Sequence, residues 1–296
     1  MNTSLNPIQT LALDTWKSVL PVEMQHQSLE SIESGQLLFF PTLSFQLTLE
    51  EQCLLSPKFI DRKVKNISYD ASTDRLKGAR GSLLELKAMK AMVSRFSQQA
   101  YVFVNSIFPH YREAIQLMRT SFRPAQVSDR QLSYRKDDRR LHVDAFPANP
   151  NQGKRLLRVF SNINIHGEHR VWRIGEPFET VARRFLPAIS KPFPGTHQLL
   201  YRCKMTRSRR TDYDYLMLQL HDRMKKDNHY QQEAAQITQR FPPHTTWIVQ
   251  TDQVSHAAMS GQHLLEQTFY LPVEAMLYPE RSPLKILERL TGRALV

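Results

Sequence analysis

Glycine is scarce in this chain, nine among 296 residues. Neither G-x-G-x-x-G nor G-x-x-x-x-G-K-S/T occurs, which argues against the backbone cradles that bind dinucleotides and nucleoside triphosphates. Cysteine is scarcer. Cys53 and Cys203 are the only two, no C-x-x-C occurs, and two reduced thiols are expected rather than a disulfide or a cysteine-built zinc site. No apolar run approaches the length of a membrane span. The opening MNTSLNPIQTLALDTWK lacks the basic start and apolar core of a signal peptide. A reducing, cytoplasmic setting is therefore expected. Internal repeats and low-complexity stretches are also missing.

What the sequence has in excess is positive charge. Lys and Arg number 40 against 28 Asp and Glu, a net +12 with a pI near 9.8. Hydrophobic residues make up 41% and charged ones 23%, the balance of a folded globular protein. Such a surface attracts polyanions, either nucleic acid or the phosphates of an anionic membrane leaflet.

Two textures follow one another. Residues 1–125 read as a mostly helical region bracing the core. NPIQTLALDTWKSVL and VEMQHQSLESIES carry apolar residues at helical spacing, GQLLFFPTLSFQLT reads as two short strands around Pro41, and a long helix is expected over 81–108 with Ser82 as its cap. Residues 126–296 are richer in short strands: RLHVDAF, RLLRVFSNINI, RVWRI, TWIVQTD and LLEQTFYLP. Helical insertions are expected at EPFETVARRFL and DYDYLMLQLHDRMKKD, and a last helix at SPLKILERLTG, opened by Ser282-Pro283. The expected class is α+β.

The chemistry centres on LHVDAF. Residues two apart on a strand share a face, so His142 and Asp144 aim an imidazole and a carboxylate at one point. A second histidine would complete the two-His, one-carboxylate face that binds non-haem Fe(II) and leaves coordination positions open. H-x-D alone is a weak motif in a chain with 11 histidines. His256 strengthens it, because it follows 114 residues later, between two expected strands. That order fits a double-stranded β-helix, a jelly roll with its ligands at the barrel mouth.

The run LHVDAFPANPNQGKRLLRVFSNINIHGEHRVWRIGEPF, together with SHAAMSGQHLLEQTFYLP, resembles the Kdo hydroxylase family. The likeness is most specific over Arg139–Phe178 and Val254–Pro272, and NINIHGEHR departs from it in lacking a proline near Ile165. The resemblance implies an enzyme that uses Fe(II), 2-oxoglutarate and O2 to hydroxylate 3-deoxy-D-manno-oct-2-ulosonic acid (Kdo) at C3, giving Ko on precursors such as Kdo2-lipid A. It implies His142, Asp144 and His256 as metal ligands.

The distal carboxylate of 2-oxoglutarate needs a buried cation, and arginine's planar fork suits it. Gln267 stands where many such enzymes carry that arginine. Arg158 is the expected clamp, since Arg158, Phe160, Asn162 and Asn164 share a strand face. Asn162 and Gln267 are its expected hydrogen-bonding partners and Arg155 the fallback, although a surface ion pair would also account for Arg158. Arg135 and Arg173 are expected on the sugar carboxylate with Trp172 packing on the ring, against the plainer reading of a core tryptophan and solvated arginines. The basic loop RCKMTRSRRTD suits phosphate headgroups, against the plainer reading of a mobile loop. The expected partners are a Kdo-containing lipid A precursor and an anionic membrane surface, with the enzyme peripheral to the inner membrane and no nucleic acid bound; the oligomeric state is left open. Rival readings are an oxygenase acting on another acceptor, a basic jelly roll that only binds, and a zinc hydrolase, which lacks a general-base glutamate beside the ligands.

Overall fold

The first strand forms where helical spacing suggested otherwise. In the computed structural model, which describes residues 7–296 apart from 62, 128–131, 191 and 194, β1 (Ile8–Thr10) pairs in parallel with β2 (Leu37–Phe40). Residues 11–20 continue without helix. Leu11, Trp16 and Leu20 are buried all the same, and Trp16 Nε1 donates to the Ser44 carbonyl at 2.9 Å. The apolar spacing there serves packing, not a helix. The second half of GQLLFFPTLSFQLT forms no strand either, since residues 42–48 are irregular.

Several other expected elements do form, beside others the sequence did not suggest. After α1 (Val22–Glu33) and the single turn α2 (Leu49–Gln52) come the short strands β3 (Ile67–Asp70) and β4 (Arg75–Lys77). α3 (Leu83–Ile107) is the long helix, opened by a reciprocal Ser82–Glu85 capping box that satisfies two otherwise unpaired N–H groups. β5 (Gln116–Arg123), β6 (Arg155–Asn162) and β7 (Arg170–Ile174) lead to α4 (Phe178–Phe185), α5 (Thr196–Arg202), α6 (Asp212–Lys226) and α7 (Asn228–Glu233). β8 (Ile237–Phe241), β9 (Thr245–Gln250), β10 (His256–Ser260), β11 (Leu264–Leu271) and α8 (Pro283–Thr291) complete the chain.

Eight strands form the major sheet in the order β1-β2-β9-β6-β11-β5-β3-β4, and three form the minor sheet in the order β10-β7-β8. The double-stranded β-helix is therefore present, but its major sheet takes five strands from residues before 126. The first region thus builds the core as well as bracing it, because β2 pairs with β9 and β5 with β11.

Residue parity assigns the faces. Leu157, Val159, Ile248, Leu265 and Phe269 join α3 in the larger apolar core. Phe160, Trp172, Phe241, Trp247, Val249 and Leu264 fill the space between the two sheets. There Phe241 stacks on Trp247 with centroids 4.0 Å apart, and Trp247 on Phe160 at 5.3 Å. No helix among the described residues is long and apolar enough to cross a membrane.

Candidate metal centre

RLHVDAF forms no regular strand, yet His142 pairs with His256 in an isolated antiparallel bridge. The two residues exchange both backbone hydrogen bonds, His142 N–H to His256 O at 3.0 Å and the reverse at 2.9 Å. That bridge extends the minor sheet by one residue pair and sets the imidazoles side by side, centroids 4.7 Å apart. Asp144 N–H donates to Thr251 O at 2.8 Å, so the carboxylate is fixed to the same rim. α7 holds the approach: Gln231 accepts from Leu141 N–H at 2.7 Å and donates to Leu141 O at 3.0 Å. Its amide thus pairs with the residue before His142 as a neighbouring strand would.

Ligating atoms of His142, Asp144 and His256 all lie within 4.8 Å of one another. His142 Nδ1 bonds the Arg140 carbonyl at 2.7 Å and His256 Nδ1 the Val254 carbonyl at 2.8 Å. A carbonyl only accepts, so each Nδ1 carries the proton and each Nε2 keeps a lone pair for a metal. His142 Nε2 lies 3.5 Å from Asp144 Oδ1, and the buried Oδ2 accepts no hydrogen bond. Burial pushes the His142 imidazolium down to about 3, helped by the charge of Lys225. Burial also lowers His256, against the pull of Asp144. Burial would raise Asp144, but Arg158 beside it overcomes this and holds the carboxyl well below its ordinary range. Two neutral imidazoles and one carboxylate form the donor set that suits an open Fe(II) site.

The centre opens into a cavity of about 460 Å³. Eight cations line it (Lys65, Arg119, Arg123, Arg135, Lys136, Arg158, Arg207 and Lys225) against three carboxylates, Asp138, Asp144 and Glu266. That surplus fits acidic ligands. Arg158 is buried, with Nη2 3.2 Å from Asp144 Oδ2 and Nη1 3.0 Å from Glu266 Oε1. It stands beside Asp144 rather than at the surface. Glu266 also accepts two bonds from Arg123, at 2.9 and 2.6 Å.

Several expected site residues lie elsewhere. Arg155 and Gln267 have the wrong parity. Arg155 is wholly buried on the helix side of β6, paired with Asp252 at 2.7 Å and Gln253 at 2.5 Å. Gln267 bonds Thr120 and the Met118 carbonyl, while its neighbours Glu266 and Thr268 line the cavity. Asn162 has the right parity but sits at the strand's end, donating to Glu168 O and Phe241 O, both at 3.1 Å. Arg173 binds the backbone of Gln231 and Arg139. Trp172 reaches the centre from behind, stacked on the His256 ring at 5.1 Å and 23°, so it braces that imidazole. Arg135 is at the cavity wall, paired with Asp222 at 3.0 Å.

Sequence reasoning missed others. Lys225, almost fully buried, lies 3.8 Å from Asp138 and lines the cavity; burial lowers its ammonium, against the pull of Asp138. His221 faces the His142 ring at 5.3 Å and bonds Asp222 at 2.9 Å. Both lie on α6, whose amphipathic spacing showed a helix but not which polar residues turn inward.

A family model described as 3-deoxy-D-manno-oct-2-ulosonic acid (Kdo) hydroxylase matches residues 15–294. No curated protein matches the chain. Among solved structures, the Kdo hydroxylase KdoO in complex with cobalt(II), a non-haem Fe(II) α-ketoglutarate-dependent dioxygenase, is similar with a TM-score of 0.96. Identity is 46%, over 98% of this chain and 97% of that one. KdoO with α-ketoglutarate and Fe(III), and with succinate and Fe(III), are similar with TM-scores of 0.95 at the same identity and the same coverage of both chains.

Proposed function

Because the chain belongs to the Kdo hydroxylase family, we propose that its cavity admits the Kdo of a lipopolysaccharide precursor such as Kdo2-lipid A, with hydroxylation at C3 to give Ko. The chain is a non-haem Fe(II)/2-oxoglutarate-dependent dioxygenase acting on Kdo. The observation that carries the residue assignment is the convergence of His142, Asp144 and His256 within 4.8 Å, each imidazole held in the ligating tautomer by a backbone carbonyl.

A bound Fe(II), held by His142, Asp144 and His256, would supply the coupling of 2-oxoglutarate's oxidative decarboxylation by O2, to succinate and CO2, with transfer of one oxygen atom into the sugar C–H bond. The residues supply the rest. His142 and His256 donate Nε2 and Asp144 a carboxylate oxygen. Arg158 orients the distal carboxylate of 2-oxoglutarate with its planar fork. Arg135 meets the sugar carboxylate at the wall, and Lys225 adds a cation deeper in. The cationic lining and the net +12 support a peripheral position on an anionic membrane, cytoplasmic side, where the lipid-anchored substrate lies.

The test is an anaerobic titration of the protein with Fe(II) and 2-oxoglutarate, followed by O2 and Kdo2-lipid A. A weak visible charge-transfer band, a product heavier by one oxygen atom and one succinate per product are expected. His256→Ala loses all three. A folded protein with no band, or succinate formed without a change in Kdo2-lipid A, overturns the assignment.

A further inference from the structure

The segment after α4 is built unlike the rest of the chain. Between Val181 and Thr211 there is no aspartate or glutamate, but there are eight lysines and arginines. Within it α5 buries none of its seven residues, and so short a helix has little stability of its own in water. Phe193 is 87% exposed, Leu199 62%, Tyr201 47% and Met205 64%. Four large apolar side chains in thirteen residues is twice what any other stretch of that length exposes among the described residues.

This patch is anchored to the wall of the metal cavity. Arg207 N–H donates to Ala148 O at 3.0 Å, and Arg210 donates to Pro147 O at 2.5 Å. Both acceptors lie in the loop that leaves Asp144, and Arg207 itself lines the cavity. On the other side, Tyr215 of α6 donates to Ser190 O at 2.9 Å. The exposed apolar residues therefore lie beside the entrance, on a segment fixed near both ends.

We propose that Phe193, Leu199, Tyr201 and Met205 insert into the interface of an anionic phospholipid bilayer while Arg202, Lys204 and Arg209 meet its headgroups. The cavity mouth is then set against the membrane that holds its substrate. Apolar side chains beside cations, with no acid among them, match that interface in both of its properties, an apolar interior and a negative surface. A second copy of this chain would set like charge on like charge, and nucleic acid offers nothing to Leu199 or Met205. The inference rests on the reading of the substrate as lipid-anchored Kdo.

The experiment uses full-length protein and two variants, F193S/L199S/M205S and R202Q/K204Q/R209Q, none of these positions lying in the cavity. Flotation with phosphatidylglycerol-containing vesicles is compared with flotation on phosphatidylcholine vesicles. Turnover is measured on Kdo2-lipid A in vesicles and on a water-soluble Kdo disaccharide. The protein floats with the anionic vesicles only. The charge variant loses partitioning by about a hundredfold at low salt, and the apolar variant loses it even at low salt. Both keep the Fe(II)/2-oxoglutarate band and the kcat on the soluble sugar, while KM for the embedded substrate rises at least tenfold. Wild-type protein that ignores anionic vesicles overturns the proposal. So do variants that float like wild type, or a patch whose loss abolishes a dimer or RNA binding instead. If the soluble sugar is not hydroxylated at all, the substrate reading fails, and flotation still decides the membrane contact separately.

Discussion

At His142 and His256 one backbone feature does two things. The bridge between them sets the imidazoles 4.7 Å apart, and carbonyls two residues upstream of each ring fix the tautomers. Both facts follow from local chain geometry, which is why H-x-D with a later histidine was legible before any fold was known. The second set of residues was not legible in the same way. β6 and β11 are buried on both faces, so composition does not tell the cavity face from the helix face. Arg155 and Arg158 look alike in sequence, yet a shift of three positions on a strand changes the face. Arg158→Lys keeps the charge but loses the fork that grips a carboxylate through two parallel bonds. Loss of one charge-assisted hydrogen bond is worth about 1.5–3 kcal/mol. The KM for 2-oxoglutarate should rise roughly tenfold to hundredfold, while Fe(II) affinity, which we assign to His142, Asp144 and His256, should change little. Steady-state kinetics with a parallel metal titration checks both, and an unchanged KM would remove Arg158 from the carboxylate site.

Between elements, the contact that matters most for the centre is α7 against the His142 segment. Gln231 satisfies Leu141 N–H and Leu141 O and donates to Met224 O at 2.9 Å, all in a buried setting. Gln231→Leu leaves these groups unpaired. Each orphaned group costs about 1–3 kcal/mol, so the three together should lower folding stability by at least about 3 kcal/mol, with Fe(II) affinity down about tenfold as the bridge loosens. Urea unfolding and metal titration check this; an Fe(II) affinity equal to wild type would mean that the bridge stands without α7. Periodicity revealed α1, α4, α6 and α8, and the long α3, because a helix announces itself over its own length. β1 and β3 to β5 were hidden for the opposite reason. β5 pairs with β11 through Thr120 and Gln267, 147 residues apart, and no local pattern reports such a pairing. Two of these strands have only three residues, too short for alternation to show.

Across the whole molecule, the jelly roll brings together groups that burial keeps neutral, and this ties stability to pH. His142 is pushed down to about 3 and His263 to about 4, in both cases by burial, against an ordinary value near 6.5. Between these limits the unfolded chain binds protons that the folded chain refuses. Stability contributed by the neutral rings is therefore complete above about pH 6.5 and is lost as the pH falls toward 4 and then 3. Each such histidine costs up to about 1.4 kcal/mol per pH unit within its window. Metal-free protein should thus lose several degrees of Tm between about pH 7 and pH 5, and His142→Gln should reduce that loss. A metal ion raises Tm by mass action, about 2.7 kcal/mol at a hundredfold excess over Kd. Because it requires unprotonated imidazoles, and burial already keeps them so in the folded chain, its protection should change little between pH 7 and pH 5. Calorimetry from pH 7 to pH 5, with and without Co(II), separates the two effects. A Co(II) shift in Tm that survived both His142→Gln and His256→Ala would mean that His142 and His256 do not hold the ion.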